Sequence, residues 1–278
     1  MKSIVASILI LTCSLSLRAQ YYYKDIIATQ ETNQLIKLYK TYKVQSVATA
    51  GYDADGVKTN DFSETQEISR NAIKFSTRNN AVTTTQYYQF NEQGLLTGII
   101  DSSSSVTSTS SYNYDAKNNL VSIKNIVSDT DDSIYLNEQH LWYYNSNGRL
   151  VKMYRVVNNN DSTEIRFTLD EMGNVTEEQP FKRTRGGEKT FYYYDDKNRL
   201  TDIVRYNTKA KRLLPDFMFE YSANNQVIQK VTTLSTMGLG YLIWRYVYDD
   251  KGLKTKEASF NRDKIMTGKI EYSYRFFP

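Results

Sequence analysis

A short motif recurs along this chain of 278 residues: an apolar anchor, usually tyrosine, is followed by a four-residue turn and then by an aliphatic residue. The anchor and turn occupy residues 52–56, 90–94, 114–118, 144–148, 169–173, 194–198, 221–225 and 248–252, and Tyr274 begins a further copy. Successive anchors are 38, 24, 30, 25, 25, 27, 27 and 26 residues apart. Internal periods of this size indicate an array of repeated units.

Each unit predicts a β-hairpin. The first turn position is Asp, Asn or Ser, which favour the opening of a type I turn. The fourth is always Gly or Asn, the residues that best tolerate positive φ. Such a hairpin with a bulge places the anchor opposite the residue six positions later. That partner is aliphatic in the six middle copies (Leu96, Leu120, Leu150, Val175, Leu200 and Val227), whereas the first and last copies carry Lys58 and Lys254.

The fold expected from these hairpins is all-β: a long, coiled antiparallel meander of about eight hairpin repeats with a short N-terminal helix. Two strands per copy give about sixteen strands, more than an open twisted sheet holds without curling. The strand register in residues 57–87 stays open, because 75–81 also fits the turn pattern. Closure into a barrel stays open too. A barrel in lipid is disfavoured because charges such as Lys256 and Glu257 fall on both strand faces.

The N-terminus predicts export. Residues 1–19 combine Lys2, an apolar run and a small residue, Ala19, at the expected cleavage position. Cleavage there removes the single cysteine, Cys13, and lowers the formal net charge from +4 to +2. The alternative, lipidation of Cys13, is disfavoured because Thr12 precedes it. A nearly neutral mature chain gives no electrostatic case for binding nucleic acid.

The expected domains are a signal peptide over 1–19, an N-terminal cap over 20–50, and the repeat domain over 51–278. Apolar residues at helical spacing predict a helix over about residues 30–41, followed by a strand through Val44, Val47 and Ala50. We expect this helix to cover the first edge of the sheet, since bare edges invite pairing with other chains.

The repeats resemble those of the YD-repeat proteins of the Rhs and wall-associated type, whose units read Tyr-Asp-x-x-Gly-Arg-Leu. Residues 194–201 and 144–150 are the most similar, and the resemblance covers roughly residues 85–278. It implies a spiralling β-sheet. In large members that sheet encloses a toxin domain, but the copies here are longer and too few to enclose one. The chain as a whole is similar to short surface or periplasmic proteins of Bacteroidetes-type bacteria.

Motifs for catalysis are sparse. His140 is the only histidine, and nothing near it resembles a nucleophile motif, so we interpret it as a plain sheet residue. The acidic pairs Asp195-Asp196 and Asp249-Asp250 lie in predicted turns. The sequence therefore predicts no catalytic, cofactor-binding or metal-binding residues and no cofactor.

The function expected is a non-catalytic binding or structural module that is periplasmic, on the cell surface or secreted. An envelope glycan or protein is the expected partner, bound through the aromatic sheet face or the variable loops, without membrane insertion. The alternatives are an accessory or effector related to toxin-delivery YD-repeat proteins and, more remotely, a carbohydrate-active hydrolase.

Overall fold

The computed structural model describes residues 21–102, 106–129, 135–207, 210–233 and 240–278. These residues form one helix, α1 (Lys24–Thr41), and nineteen strands. The strands are β1 (Val44–Tyr52), β2 (Phe62–Ile68), β3 (Ala72–Asn79), β4 (Val82–Phe90), β5 (Leu96–Ser102), β6 (Val106–Tyr114), β7 (Leu120–Asp129), β8 (Tyr135–Tyr144), β9 (Leu150–Val157), β10 (Asp161–Leu169), β11 (Val175–Lys182), β12 (Arg185–Gly186), β13 (Thr190–Tyr194), β14 (Leu200–Asn207), β15 (Arg212–Tyr221), β16 (Val227–Thr233), β17 (Tyr241–Tyr248), β18 (Lys254–Phe260) and β19 (Met266–Phe276).

The sheet closes on itself. Consecutive strands pair antiparallel around the sheet, and β19 pairs with β1 along a ladder from Tyr52 opposite Lys269 to Val44 opposite Phe276. The two-residue β12 pairs with β11, and β11 also pairs directly with β13. The described strands therefore form a closed barrel of eighteen, with β12 as a small addition. The ring has an even number of strands because each antiparallel step reverses the strand direction.

Closure corrects two expectations. The open meander is wrong, because β1 and β19 leave no free edge in the ring. The resemblance to YD-repeat proteins, which implied a spiralling open sheet, is wrong for the same reason. Physically, a twisted sheet of this width must curl, and joining its two edges satisfies backbone groups that would otherwise remain unpaired.

The turns are confirmed at every copy. The fourth turn position has positive φ in all eight, namely Gly56, Gly94, Asn118, Gly148, Gly173, Asn198, Asn225 and Gly252. In each, its N–H donates to the carbonyl of the first turn residue, as from Asn198 to Asp195 at 3.0 Å. The anchors also face the residue six positions later, as Tyr114 faces Leu120.

The first copy lies at the opposite end of the barrel from the other seven. Three strands, β2 to β4, separate the first two anchors, whereas two separate most later neighbours. Because antiparallel strands alternate in direction, this odd number reverses the end. We call the end with the seven later repeat turns the turn rim and the other end the loop rim.

The additional fit to the repeat-turn pattern at residues 75–81 is false. Strand β3 continues to Asn79, and the chain turns at Asn80 (φ 53°).

The anchor tyrosines form a ladder of hydrogen bonds near the turn rim. The hydroxyl of each anchor tyrosine donates to a backbone carbonyl of an earlier hairpin. The acceptor is the residue that lies opposite the anchor of that earlier hairpin. The bonds are Tyr114 to Leu96 (2.8 Å), Tyr144 to Leu120 (3.0 Å), Tyr194 to Val175 (2.9 Å), Tyr221 to Leu200 (2.7 Å), Tyr248 to Val227 (2.9 Å) and Tyr274 to Lys254 (2.7 Å). This tyrosine ladder ties neighbouring hairpins together and explains the preference for Tyr over Phe at the anchor.

The helix lies inside the barrel, so its predicted place at a sheet edge is wrong. Its N-terminal half packs with Tyr21 and Tyr22 against β7 to β15. Its C-terminal half packs through Ile36 and Tyr39 against β1 to β5, β19 and Leu253, the residue before β18. A closed ring of eighteen tilted strands has a radius of roughly 18 Å. Wall side chains alone do not fill that width. A helix about 27 Å long spans the space and buries apolar residues against both sides.

Residues 1–20 are not among those that the structure describes. The expected leader, 1–19, falls among residues that the structure does not describe, as do residues 130–134. The first strand is as predicted, since β1 contains Val44, Val47 and Ala50. The helix begins earlier than the predicted residue 30.

Candidate functional site in the barrel lumen

The chain enters the helix through buried contacts with the barrel wall. Both carboxylate oxygens of Glu178 accept the Tyr22 N–H, at 2.9 and 3.1 Å, and one accepts the Tyr23 N–H at 2.9 Å. These donors belong to the N-terminal end of α1, where backbone N–H groups lack partners within the helix. Arg205 adds a cation–π contact, 5.3 Å from the Tyr21 ring centre. Glu178 is 1% exposed, so the wall supplies an internal cap for the helix.

A second buried contact joins the first turn of α1 to β8. His140 Nδ1 lies 2.5 Å from Asp25 Oδ2, and its Nε2 lies 2.9 Å from Glu138 Oε1. The other Glu138 oxygen accepts a hydrogen bond from Arg155 at 2.5 Å. His140 is 3% exposed. It is therefore the centre of a buried charged network, and the interpretation as a plain sheet residue is wrong.

The network shifts the pKa values of its members. Burial alone would lower the pKa of His140, but the Asp25 and Glu138 carboxylates outweigh it and raise that pKa to about 9. Burial alone would raise the pKa of Glu138, but hydrogen bonds from His140 and Arg155 lower it to about 2. Glu178 has no such cation, and burial raises its pKa to about 7. At neutral pH the histidine is thus a cation held between two carboxylates.

Four charged residues turn into the lumen on another side of the helix. We call Glu31 of α1, Lys230 of β16, and Lys254 and Glu257 of β18 the lumenal cluster. Lys254 Nζ lies 3.0 Å from Glu257 Oε2 and 4.7 Å from the centre of the Tyr246 ring. The Glu257 side chain points inward, because Glu257 lies opposite Ile270 in the paired strand β19 and Ile270 is a buried core residue.

Lys230 and Glu31 have no close ionic partner among the described residues. The Lys230 ammonium lies over two aromatic faces, 4.9 Å from the Phe217 ring centre and 5.9 Å from that of Phe219. Burial lowers its pKa, and the Glu31 charge opposes the shift. Burial likewise raises the pKa of Glu31, although its side chain borders open space. The two opposite charges therefore face the lumen within electrostatic reach of each other but unpaired.

Polar side chains extend this surface toward β2. Glu64 accepts hydrogen bonds from Gln66 at 2.9 Å and from Thr77 at 3.1 Å, and Gln66 accepts one from the Tyr39 hydroxyl at 2.9 Å. Burial raises the pKa of Glu64, while these hydrogen bonds oppose the shift. The interior thus combines two apolar clusters that hold the helix with a polar, charged surface beside them.

A separate cavity of about 350 Å³ opens at the turn rim, between the helix and the turns that follow β6, β8 and β10. Its helix side carries Ile26, Thr29, Gln30 and Asn33. We call this space the rim cavity. It lies on a different side of α1 from Glu31, since its helix residues follow the spacing of one helical face.

The sequence predicted no site residues, and the residues considered there are mostly structural. Asp195 and Asp249 open turns, where their side chains accept backbone N–H groups of Arg199 and Leu253 at 2.9 and 2.8 Å. Trp142 is buried in the core. The lumenal cluster was missed because its charges look like ordinary strand charges. One signal was present: Lys254 stands where most copies have an aliphatic residue.

Two further observations concern the described residues only. They contain no group of three or more His, Cys, Asp or Glu side chains placed to hold a metal ion. Among them, no helix has the length and apolar character needed to cross a membrane.

Comparisons with known proteins find structural likeness only. No family model and no curated protein matches the chain. A porin-like protein from Bacteroides uniformis is similar over 84% of this chain and 98% of its own, with 9% identity and a TM-score of 0.44. A porin-like protein from Bacteroides vulgatus is similar over 84% and 99%, with 13% identity and a TM-score of 0.30.

The Tc holotoxin pore of Photorhabdus luminescens is similar over 77% of this chain and 16% of its own, with 10% identity and a TM-score of 0.32. Similar folds host unrelated functions. These low identities leave the function of the chain to be argued from its own residues.

Proposed function

We propose that the protein is an exported, non-catalytic binding module of the cell envelope and that its ligand is held in the lumen at the lumenal cluster. The observation that carries this proposal is Lys230, an inward-facing ammonium without a carboxylate within 4.0 Å among the described residues. Removing a charge from water without a close partner is unfavourable. Such groups are candidates for functional sites.

The cluster favours a small ligand that carries both hydrogen-bond acceptors and donors. Lys230 supplies a cation and Glu31 supplies an anion, and neither is neutralised by direct contact. The rings of Phe217 and Phe219 beside Lys230 add apolar surface for the carbon skeleton of the ligand. An amino acid, a short peptide or an amino sugar has this combination.

The absence of catalysis is part of the proposal. General acid–base work needs a group that reaches substrate, and both ring nitrogens of His140 already contact carboxylates. The network ties the helix to the wall, which supports a structural role for this histidine.

An envelope location rests on the leader-like residues 1–19 and on the outer wall. Charges occupy outward strand positions beside buried ones: Glu164 and Arg166 flank Ile165 and lie 3.0 Å apart, and Lys269 and Glu271 lie 2.6 Å apart. A wall in lipid requires an apolar outer face. These ion pairs therefore support a barrel that stands in water, in the periplasm or outside the cell. Fractionation of the native host, with intact-mass measurement of the exported chain, tests this part.

Native mass spectrometry and calorimetric titration test the lumenal site. The probes are a panel of free amino acids, dipeptides and hexosamines. We expect a member of the panel to bind the wild-type protein and to lose at least tenfold affinity in Lys230→Met and in Glu31→Gln. Lys256→Met, which removes an ammonium from the outer wall of β18, is the matched control. Absence of binding across the panel, or equal binding in all variants, would refute the lumenal site.

A further inference from the structure

The rim cavity has the dimensions of a small-molecule site and a distinct chemistry. Its volume of about 350 Å³ lies at the lower end of the range of roughly 300–1,000 Å³ seen for ligand pockets. Helix α1 forms one side and three successive repeat turns form the other. Peptide-sized or lipid-sized occupants exceed this space, so a small molecule is the fitting class.

The lining is rich in amides and tyrosines and nearly free of charge. Four amide side chains contribute, namely Gln30, Asn33, Asn118 and Asn119, together with the rings of Tyr23, Tyr114 and Tyr144. Arg149 is the one charged residue of the lining, and its guanidinium donates to the Glu171 carbonyl at 3.0 Å. An anionic ligand therefore finds no free cluster of cations.

Two of these amides are available to a ligand. Asn33 is engaged through its oxygen with the Leu96 N–H at 2.8 Å, and Asn119 donates to Asp115 at 2.9 Å. Gln30 and Asn118 make no side-chain hydrogen bond with the described residues, and Gln30 is exposed at the mouth. A free amide offers both a donor and an acceptor, as a sugar hydroxyl does.

The strand-and-turn side of the cavity is held in place by hydrogen bonds. Asn118, Gly148 and Gly173 hold left-handed turn conformations fixed by hydrogen bonds across each turn. Tyr114 and Tyr144 are fixed by the tyrosine ladder. Preorganised polar groups beside aromatic rings reduce the ordering that binding otherwise requires.

We propose that the rim cavity binds a short neutral saccharide, a monosaccharide or disaccharide. Gln30 and Asn118 hydrogen-bond its hydroxyls, and the tyrosine rings contact its apolar ring faces. This site is separate from the lumenal cluster and does not depend on it, because Gln30 and Glu31 face different sides of α1.

Titration calorimetry and ligand-observed NMR test the proposal on the full-length mature protein. The probes are glucose, N-acetylglucosamine, cellobiose, maltose and chitobiose. We expect at least one to bind and to lose at least tenfold affinity in Gln30→Trp, which fills the cavity, and in Gln30→Ala, which removes the amide. Tyr193→Trp places the same indole on the exposed outer wall of β13, away from the cavity, and should leave this affinity unchanged.

The results separate the two sites. Saccharide binding that survives Lys230→Met but fails in Gln30→Trp supports the rim cavity. Binding that survives Gln30→Trp, or that fails equally in Tyr193→Trp, overturns the assignment to this cavity. If no probe binds at concentrations up to about 100 mM, roughly a hundred times a millimolar Kd, the proposal is wrong even if the lumenal site binds its own ligand.

Discussion

At the scale of single residues, the repeat is maintained by a few side chains with defined tasks. Asp, Asn or Ser opens the turn, Gly or Asn accepts the left-handed conformation, and the anchor tyrosine bonds to an earlier hairpin. Arg199 bridges to the following turn, where its guanidinium donates to the Ser222 carbonyl at 3.1 Å. Arg149 does the same with Glu171. The motif therefore encodes contacts between copies as well as the hairpin itself.

The tyrosine ladder gives a prediction for Tyr221. Tyr221→Phe removes the hydroxyl that donates to Leu200 at 2.7 Å and leaves that carbonyl without this bond. We expect a loss of about 1 kcal/mol in the free energy of unfolding, measured by chemical denaturation. Tyr193→Phe is the control, because Tyr193 is 47% exposed on the other face of its strand. Equal stabilities of the two variants would show that the ladder contributes nothing.

The turn conformation gives a prediction for Asn198, whose φ is 57°. Asn198→Val should destabilise the protein by about 1–2 kcal/mol, because a β-branched residue resists positive φ. Asn198→Gly should be nearly neutral, since glycine adopts this conformation freely but loses the contact with Asn174 at 3.1 Å. Thermal melting measures both. Identical melting temperatures for the two variants would contradict the turn assignment.

At the scale of elements, the hairpins were predictable and the position of the helix was not. Turn type and the pairing of an anchor with the residue six positions later are local, so the sequence specifies them directly. The helix was expected to cover an edge, but it buries Ile26 and Ile36 inside the barrel. Its contacts join Asp25 to His140 and Tyr22 to Glu178. Such distant pairs leave no local pattern, which is also why the lumenal cluster was missed.

The contacts that hold α1 make stability depend on pH. The pKa of Glu178 is raised from 4.5 to about 7, so its contribution is full below pH 4.5 and is lost as the pH rises through about 7. That of His140 is raised from 6.5 to about 9, so its contribution is full below pH 6.5 and is lost as the pH rises through about 9. The pKa of Glu138 is lowered from 4.5 to about 2, so its contribution is full above pH 4.5 and is lost toward pH 2.

Stability should therefore be greatest near pH 4.5. It should fall from pH 4.5 to about 7 through Glu178, fall further from pH 6.5 to about 9 through His140, and fall below pH 4.5 through Glu138. Urea denaturation from pH 3 to pH 10 measures this profile. Glu178→Gln retains an oxygen for the Tyr22 and Tyr23 N–H groups but does not ionise. It should remove the fall between pH 4.5 and 7 and keep the fall between pH 6.5 and 9. A variant profile that matches the wild type near pH 7 would remove Glu178 from this explanation.

At the scale of the whole molecule, closure is the property that the sequence left open. The eight-copy pattern is compatible with a spiral or a ring, because each copy contacts its neighbours in the same way in both. The choice depends on the pairing of β1 with β19, whose residues lie at opposite ends of the chain and are not joined by a hairpin turn. The first two anchors are separated by three strands, one more than most later neighbours. This extra strand also matters, because a closed antiparallel ring needs an even number of strands.

A designed disulfide tests closure directly. Ala48 of β1 and Ser273 of β19 lie opposite each other, and both are exposed. Directly opposed strand residues have Cα atoms roughly 4.5–5.5 Å apart, within the range for a disulfide. Cys13 is the one native cysteine of the chain, so the variants also carry Cys13→Ser and the introduced pair are their only cysteines. The variant with Ala48→Cys and Ser273→Cys should form an intramolecular disulfide under mild oxidation, seen as loss of both free thiols at unchanged monomer mass.

The matched control combines Ala48→Cys with Thr168→Cys, which places the second cysteine in β10 on another part of the wall. It should retain its thiols or cross-link only between molecules. In an open meander of this many strands, the two ends lie on the order of 75 Å apart, and the first variant would behave like the control. Rapid internal cross-linking in the Ala48 and Ser273 pair alone therefore requires the ring, and with it the enclosed lumen in which the ligand is proposed to bind.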